Sequence, residues 1–168
     1  MLIQYGEIVT SFGSMTAGIT DNCLIWLDHD CTEASIADMK IRLGRHQDEL
    51  TFIRNDEAVS WVEQWMEKYF AGMQVDSPPV AFTGTAFQNQ VWQALLQIGY
   101  GEVCSYKNIA DRIGNPKAVR AVGQAINRNP ISIIVPCHRV IGTDGKLTGY
   151  NGGLDKKTYL LNLEQKKA

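Results

Sequence analysis

The chain has no run of 18 consecutive apolar residues, and its N-terminus lacks a basic segment followed by an apolar stretch. Neither a membrane span nor a secretory signal is indicated, so a cytoplasmic location is the expectation. Cysteine is sparse, with Cys23, Cys31, Cys104 and Cys137 the four among 168 residues. A chain of this size with 45% hydrophobic residues builds its core without disulfide staples, so all four read as free thiols. Cys23, His29 and Cys31 lie close together, yet zinc sites pair closer cysteines and need a fourth ligand that the sequence does not advertise. No metal is expected there. No Gly-Lys-Ser/Thr follows the glycine-rich stretch Gly149-Tyr150-Asn151-Gly152-Gly153, which sets aside a phosphate-cradling loop. Nor is there a cysteine-rich N-terminal module, so a fusion that regulates transcription is not expected.

The formal net charge of −2 hides an asymmetry. Residues 1–100 carry 5 Lys+Arg against 13 Asp+Glu, whereas residues 101–168 carry 11 against 5. An acidic half followed by a basic half points to contact with a polyanion through the second half alone.

Short apolar stretches at Ile8-Val9, Met15 to Ile19 and Cys23 to Leu27, broken by glycines and by Asp21-Asn22, read as strands of a small antiparallel sheet. Ile36, Met39 and Leu43 suit an amphipathic helix within 31–50, with Thr32 as its cap, and Thr51-Phe52-Ile53 reads as a returning strand. A second helix starts near Asn55-Asp56, carries Ala58, Trp61, Val62, Trp65, Met66, Tyr69 and Phe70 at helical spacing, and stops at Gly72. Val75-Asp76-Ser77-Pro78-Pro79 reads as a linker, dividing the chain into an N-terminal α/β domain (1–78) and a C-terminal domain (79–168). After it, Phe87, Val91, Leu95 and Ile98 mark a helix capped by Thr85-Ala86-Phe87-Gln88. Two short helices follow, from Ser105 to Ile113 and from Lys117 to about Ile126, joined by Gly114-Asn115-Pro116. That is helix-turn-helix spacing. The second helix carries small residues at Ala118, Ala121, Gly123 and Ala125 around Arg120, which let it approach another surface closely, whether a binding partner or merely a neighbouring helix.

The apolar run Ile131, Ile133, Ile134, Val135 reads as a buried strand leading to Pro136-Cys137-His138-Arg139-Val140. Gly142-Thr143-Asp144-Gly145 then has hairpin-turn chemistry, and a final helix from Leu154 turns Leu160, Leu161 and Leu163 inward and carries Glu164. Taken alone, Cys137 is either a small core residue or a nucleophile whose pKa is lowered by a neighbouring histidine and positive charge. One thiol, an adjacent histidine and a late carboxylate compose a Cys-His-Glu relay, in which His138 takes the thiol proton and Glu164 orients the imidazole. On a strand, consecutive side chains point to opposite faces, so Cys137 and His138 meet only through a bend or a bridging water.

The run Asn129-Pro130-Ile131-Ser132-Ile133-Ile134-Val135-Pro136-Cys137-His138-Arg139-Val140-Ile141 closely resembles the active-site segment of the O6-alkylguanine-DNA alkyltransferases, or methylated-DNA–protein-cysteine methyltransferases. The similarity runs from Gly84 to Glu164 through Gly101-Glu102-Val103, Ser105-Tyr106, Gly114 to Gly123, Thr148-Gly149-Tyr150 and Gly152-Gly153-Leu154. The resemblance implies an α+β protein: a small antiparallel sheet with helices, then a mostly helical domain with a winged-helix-like helix-turn-helix unit. It implies irreversible, cofactor-free transfer of an alkyl group from O6-alkylguanine, and from O4-alkylthymine, to Cys137, after the damaged nucleotide is flipped out of double-stranded DNA.

By the same resemblance, Tyr106 crowds the phosphate and donates toward the purine, and Arg120 fills the place of the extruded base. Ala118, Val119, Ala121 and Gly123 then meet the minor groove. Tyr150 lines the pocket, the Val140 carbonyl and the backbone near Asn151 read the base edge, and Asn129 ties the recognition helix to the active-site segment. His138 acts through water and Glu164 holds it. Asn151 stands where many relatives have serine, and Asn127-Arg128 replaces smaller residues. A monomer without membrane contact is expected. Two other readings are a non-catalytic lesion sensor on the same scaffold, against which Cys137 itself stands, and a cysteine hydrolase of acyl groups, for which no oxyanion hole is signalled.

Overall fold

The computed structural model describes residues 1–167. They form two compact units, one of residues 1–84 with 130–132, the other of residues 85–129 with the chain from 133 onward.

In the first unit, β1 (Leu2–Thr10), β2 (Gly13–Thr20) and β3 (Cys23–Asp28) form an antiparallel meander. Asp21 and Asn22 both take left-handed backbone (φ 48 and 62), the geometry of a two-residue hairpin whose twist matches its strands. The β2–β3 register slips between Gly18 and Ile19, which leaves Ile25 without an opposite residue. This bulge explains why consecutive Ile25 and Trp26 both enter the core with Ile3, Met39 and Leu43. α1 (Glu33–Gly44) starts at a reciprocal Thr32/Ser35 cap. β4 (Thr51–Arg54) returns parallel to β1, giving the order β3-β2-β1-β4. The sheet is therefore mixed rather than wholly antiparallel, because α1 supplies the crossover that a parallel pair requires.

A 3-10 turn at Glu57–Val59 leads into α2 (Ser60–Phe70), which buries Val62, Met66 and Tyr69. Gly6 makes this approach possible, since a Cβ there would lie 2.7 Å from the Asp56 backbone. Gly72 (φ 81) ends the helix, with the Met73 N–H reaching back to the Lys68 carbonyl at 3.1 Å. The proline-bearing segment then covers the outer edge of β3, where Val80 bridges to Leu24.

In the second unit, α3 (Ala86–Leu95) begins at the Thr85/Gln88 capping box and buries Val91, Trp92 and Leu95. β5 (Cys104–Ser105) is followed by α4 (Tyr106–Arg112) and α5 (Val119–Asn127). α5 starts two residues later than the spacing predicts: residues 115–118 form a turn closed by the Ala118 N–H on the Asn115 carbonyl, with Pro116 inside it. α5 buries Val122, Ala125 and Ile126 and leaves Val119, Arg120 and Ala121 exposed. The Trp92 indole N–H donates to the Ala125 carbonyl at 2.9 Å and fastens α5 to α3. β6 (Val140–Ile141) pairs parallel with β5, and α6 (Leu154–Lys167) closes the unit with Leu160 and Leu161 buried and Leu163 half-buried.

The apolar run at 131–135 is not a strand. Ile131 makes one isolated bridge to Leu27, and Ile133 turns the chain with φ 71, a left-handed conformation that is uncommon for a β-branched residue. Burial accounts for the composition of this run: every residue from 129 to 138 is buried, so it needs apolar side chains whatever its backbone does.

Candidate active site

Cys137 opens a single 3-10 turn, Cys137–Arg139, rather than ending a strand. Pro136 (φ −82, ψ 64) bends the chain just before it into an inverse γ-turn, closed by the Cys137 N–H on the Val135 carbonyl at 2.8 Å. The Asn129 side chain, two residues beyond the end of α5, donates to the same carbonyl at 2.9 Å. Asn129 thereby ties α5 to the turn that presents the thiol. It also hydrogen-bonds the thiol itself.

Cys137 is 5% exposed, His138 and Glu164 are fully buried, and His138, Arg139 and Glu164 form one hydrogen-bonded cluster. His138 Nε2 lies 2.9 Å from Glu164 Oε1. Arg139 grips the same carboxylate through Nε, at 3.1 and 2.9 Å from its two oxygens, and through a second guanidinium nitrogen at 2.7 Å. Its remaining nitrogen donates to the Ile98 carbonyl at 2.6 Å. Burial pushes the Glu164 carboxyl up, but the hydrogen bonds and charges of His138 and Arg139 outweigh it and hold the group at about 2. An ionised carboxylate only accepts, so His138 must carry its proton on Nε2. Its buried Nδ1 has no hydrogen-bond partner among the described residues and keeps its lone pair. Burial lowers the His138 pKa and Glu164 pulls it back up, which keeps the imidazole a neutral base.

For the thiol, the structure differs from the expectation. Burial pushes the Cys137 pKa up, and the opposing pull of the Asn129 hydrogen bond and the Lys157 charge does not cancel it. The neighbouring imidazole is neutral and adds no positive charge. The arrangement therefore suits a thiol that loses its proton to a base as it reacts.

Arg120, Val119 and Ala121 are exposed on α5, while Ala118 and Gly123 are half-buried. A Cβ on Gly123 would meet the Tyr106 ring at 3.8 Å, so helix and ring already lie at contact distance. The Tyr106 hydroxyl donates to the Thr148 carbonyl at 3.1 Å. Val140 is buried, Tyr150 half-buried and Asn151 exposed. Cys23 and Cys31 are free thiols, and no group of three His, Cys, Asp or Glu side chains suited to a metal occurs among the described residues.

The profile of the family described as "6-O-methylguanine DNA methyltransferase, DNA binding domain" matches residues 86–166. A methylated-DNA–protein-cysteine methyltransferase of Methanosarcina acetivorans is 55% identical over 115 residues, covering 68% of this chain and 74% of that protein. The chain belongs to the methylated-DNA–protein-cysteine methyltransferase family. A member from Mycobacterium bovis is 54% identical over 112 residues, 66% of this chain and 68% of its own length. The crystal structure of the Mycobacterium tuberculosis O6-methylguanine methyltransferase matches with a TM-score of 0.81 and 40% identity, over 99% of this chain and 94% of that one. The crystal structure of Mycobacterium tuberculosis OGT in complex with DNA matches equally, with a TM-score of 0.81 over 98% and 94%.

Two cations in the site of this methyltransferase, one half-buried and one fully buried, are not signalled by the sequence motifs. Arg139 is adjacent to His138 in sequence, but nothing in the sequence pairs it with Glu164. Lys157 had a legible signal: it stands at i of the buried stripe Leu160, Leu161, Glu164 (i+3, i+4, i+7), where a lysine needs a reason.

Proposed function

We propose that this chain repairs alkylated DNA by moving an alkyl group from O6 of guanine, or O4 of thymine, to Cys137, and that each molecule reacts once. The observation that carries this reading is the Cys137–Arg139 turn, in which the buried Cys137 is followed directly by a buried His138 whose tautomer is fixed by Glu164.

His138 Nδ1 takes the thiol proton through a water. The sulfur attacks the alkyl carbon, the carbon–oxygen bond breaks, and its electron pair returns to the base, which takes up a proton and is restored. The sulfur becomes a thioether, which offers no carbonyl for water to attack, and the protein is spent. The alkyl carbon is inside the base stack in duplex DNA, so the nucleotide must rotate out at a cost of a few kcal/mol. Arg120, exposed on α5, fills the gap. Ala118, Val119, Ala121 and Gly123 give the helix a low profile against the minor groove. The Tyr106 hydroxyl gives up its bond to Thr148 to donate toward the purine. Tyr150 lines the pocket, and the Val140 carbonyl and the backbone at Asn151 read the base edge. Residues 79–168 thus carry DNA binding and chemistry, acting as a monomer.

The test is a duplex with one O6-methylguanine mixed with the parent protein and with Cys137→Ala. The parent should restore guanine, and the variant should bind the duplex and leave the lesion intact. Restoration by the variant overturns the assignment.

A further inference from the structure

Asn151 is followed by Gly152, the single Asn-Gly pair in the chain; every other asparagine precedes a residue that carries a side chain. The amide carbon of an asparagine lies within five-membered-ring reach of the next backbone nitrogen. Ring closure is easiest where that nitrogen belongs to glycine, which has no Cβ to obstruct the approach and a backbone free to adopt it. The two residues form the centre of a turn, closed by the Gly153 N–H on the Tyr150 carbonyl at 3.0 Å. Asn151 is exposed and Gly152 half-buried. Neither the Gly152 N–H nor the Asn151 amide has a hydrogen-bond partner among the described residues, so no bond must break before the nitrogen attacks. The pair Asp144-Gly145 provides the contrast. There the glycine N–H donates to the Gly142 carbonyl at 2.9 Å, and an Asp144 carboxylate oxygen accepts from the Lys146 N–H at 3.0 Å. Its nitrogen is engaged, and a carboxylate is a poorer electrophile than an amide.

We propose that Asn151 is a site of spontaneous deamidation, which turns the neutral loop beside the base pocket into an anionic one and disables protein that has met no lesion. The inference rests on the reading in which the backbone at Asn151 contacts the base. Hydroxide removes the Gly152 amide proton, the nitrogen bonds to the Asn151 amide carbon, and the carbon–nitrogen bond of the side chain breaks with release of ammonia. Water then opens the cyclic imide. Attack at the side-chain carbonyl gives aspartate, and attack at the backbone carbonyl gives isoaspartate, with the chain now running through the former side chain. The balance is one water consumed and one ammonia released, with no oxidant or reductant. Both products place a carboxylate where DNA phosphates must approach. Isoaspartate also lengthens the backbone by one carbon and displaces the groups that read the base edge. Cys137 stands on a separate turn and keeps its reactivity.

The test stores the full chain warm, at mildly alkaline pH and without DNA, beside two variants. Asn151→Ser has no amide to lose, and Gly152→Ala puts a methyl next to the attacking nitrogen at a position whose φ is not left-handed. Each stored sample is compared with its own fresh one by intact mass, peptide mapping and isoaspartyl methyltransferase labelling. Binding of undamaged duplex, repair of a duplex carrying O6-methylguanine and modification of Cys137 by iodoacetamide are then measured. The peptide bearing residue 151 of the parent should gain about 1 Da and accept the isoaspartyl label. Its modified fraction should bind duplex about fivefold more weakly and repair it at least as much more slowly, with the iodoacetamide rate within about twofold of fresh protein. Gly152→Ala should change about tenfold more slowly than the parent, and Asn151→Ser should not change at that peptide. An Asn151 that stays intact in the parent overturns the proposal, as does an equal rate of change in Gly152→Ala. Undiminished binding and repair by the modified fraction, or a parallel loss of iodoacetamide reactivity, overturns it too. If fresh parent leaves the methylated duplex unrepaired, the alkyltransfer reading has failed, while mass and duplex binding still decide the fate of Asn151.

Discussion

Replacing Glu164 by glutamine keeps the shape of the side chain and removes the charge on which His138 and Arg139 converge. The amide presents one acceptor oxygen where the carboxylate had two, and its own N–H bonds face two groups that are already donors. Arg139, with its side chain 11% exposed, is left with its charge poorly matched. Breaking a buried, hydrogen-bonded ion pair by removing one partner costs about 3–5 kcal/mol, so Glu164→Gln should be less stable than the parent by that amount at about pH 7. The pH dependence makes the origin of the loss visible. The folded-state pKa of Glu164, about 2, lies below its ordinary 4.5, so the stability it contributes is fully present above 4.5 and is lost as pH falls toward 2. That interval corresponds to about 3 kcal/mol. The gap between parent and variant should therefore narrow as pH falls from 4.5 to 2, because the parent's carboxyl becomes as neutral as the amide. His138 adds to the acid loss in the parent: burial holds its pKa below the ordinary 6.5, so stability already declines once pH drops below that value. Urea titrations followed by far-ultraviolet circular dichroism over this pH range measure both effects. A gap under about 1 kcal/mol near neutrality, or one that stays constant down to pH 2, refutes the reasoning.

Asn129→Ala removes the 2.9 Å bond that secures the turn before Cys137 and a hydrogen bond to the thiol; it should cost about 1–3 kcal/mol in denaturant and slow iodoacetamide modification of Cys137 at fixed pH. Trp92→Phe removes the indole hydrogen bond to the Ala125 carbonyl, which keeps its bond from the Arg128 N–H, and should cost about 0.5–1.5 kcal/mol, with a melting curve as the check. Arg120→Ala lies on the exposed face of α5 and should shift stability by less than about 0.5 kcal/mol, while slowing repair of duplex far more than reaction with free O6-benzylguanine. Equal slowing on both substrates contradicts its role in the base stack. Neutralising Arg120 or Arg128 should flatten the dependence of DNA affinity on salt, whereas neutralising Lys40 or Lys68 should not.

Local signals in this chain were legible where residue type and backbone demand coincide. Thr32 and Thr85 cap helices because a hydroxyl before an apolar stripe has few better uses, and both appear as caps. The stripe of α2 and the helix pair α4–α5 follow from side-chain periodicity, which burial enforces. The 131–135 run misled because burial on all sides selects the same Ile and Val residues whether or not a ladder forms; only Pro130 and Pro136, flanking so short a run, hinted otherwise. The parallel return of β4 was hidden because pairing partners are chosen by the crossover, not by the strand. At the site, the resemblance anticipated the pairing of His138 with Glu164. It did not anticipate the direction of the Cys137 pKa, because burial, which outweighs its neighbours, is a property of the packed chain.

The central claim is that Cys137 accepts one alkyl group and is never regenerated. Excess duplex carrying isotopically labelled O6-methylguanine is mixed with a known amount of protein, and the end point is read by guanine release, intact mass and peptide mapping. Repair should stop at one equivalent, with a single labelled methyl on Cys137 and none on Cys23, Cys31 or Cys104. Product that keeps accumulating beyond the protein concentration, or label on another cysteine, contradicts the account.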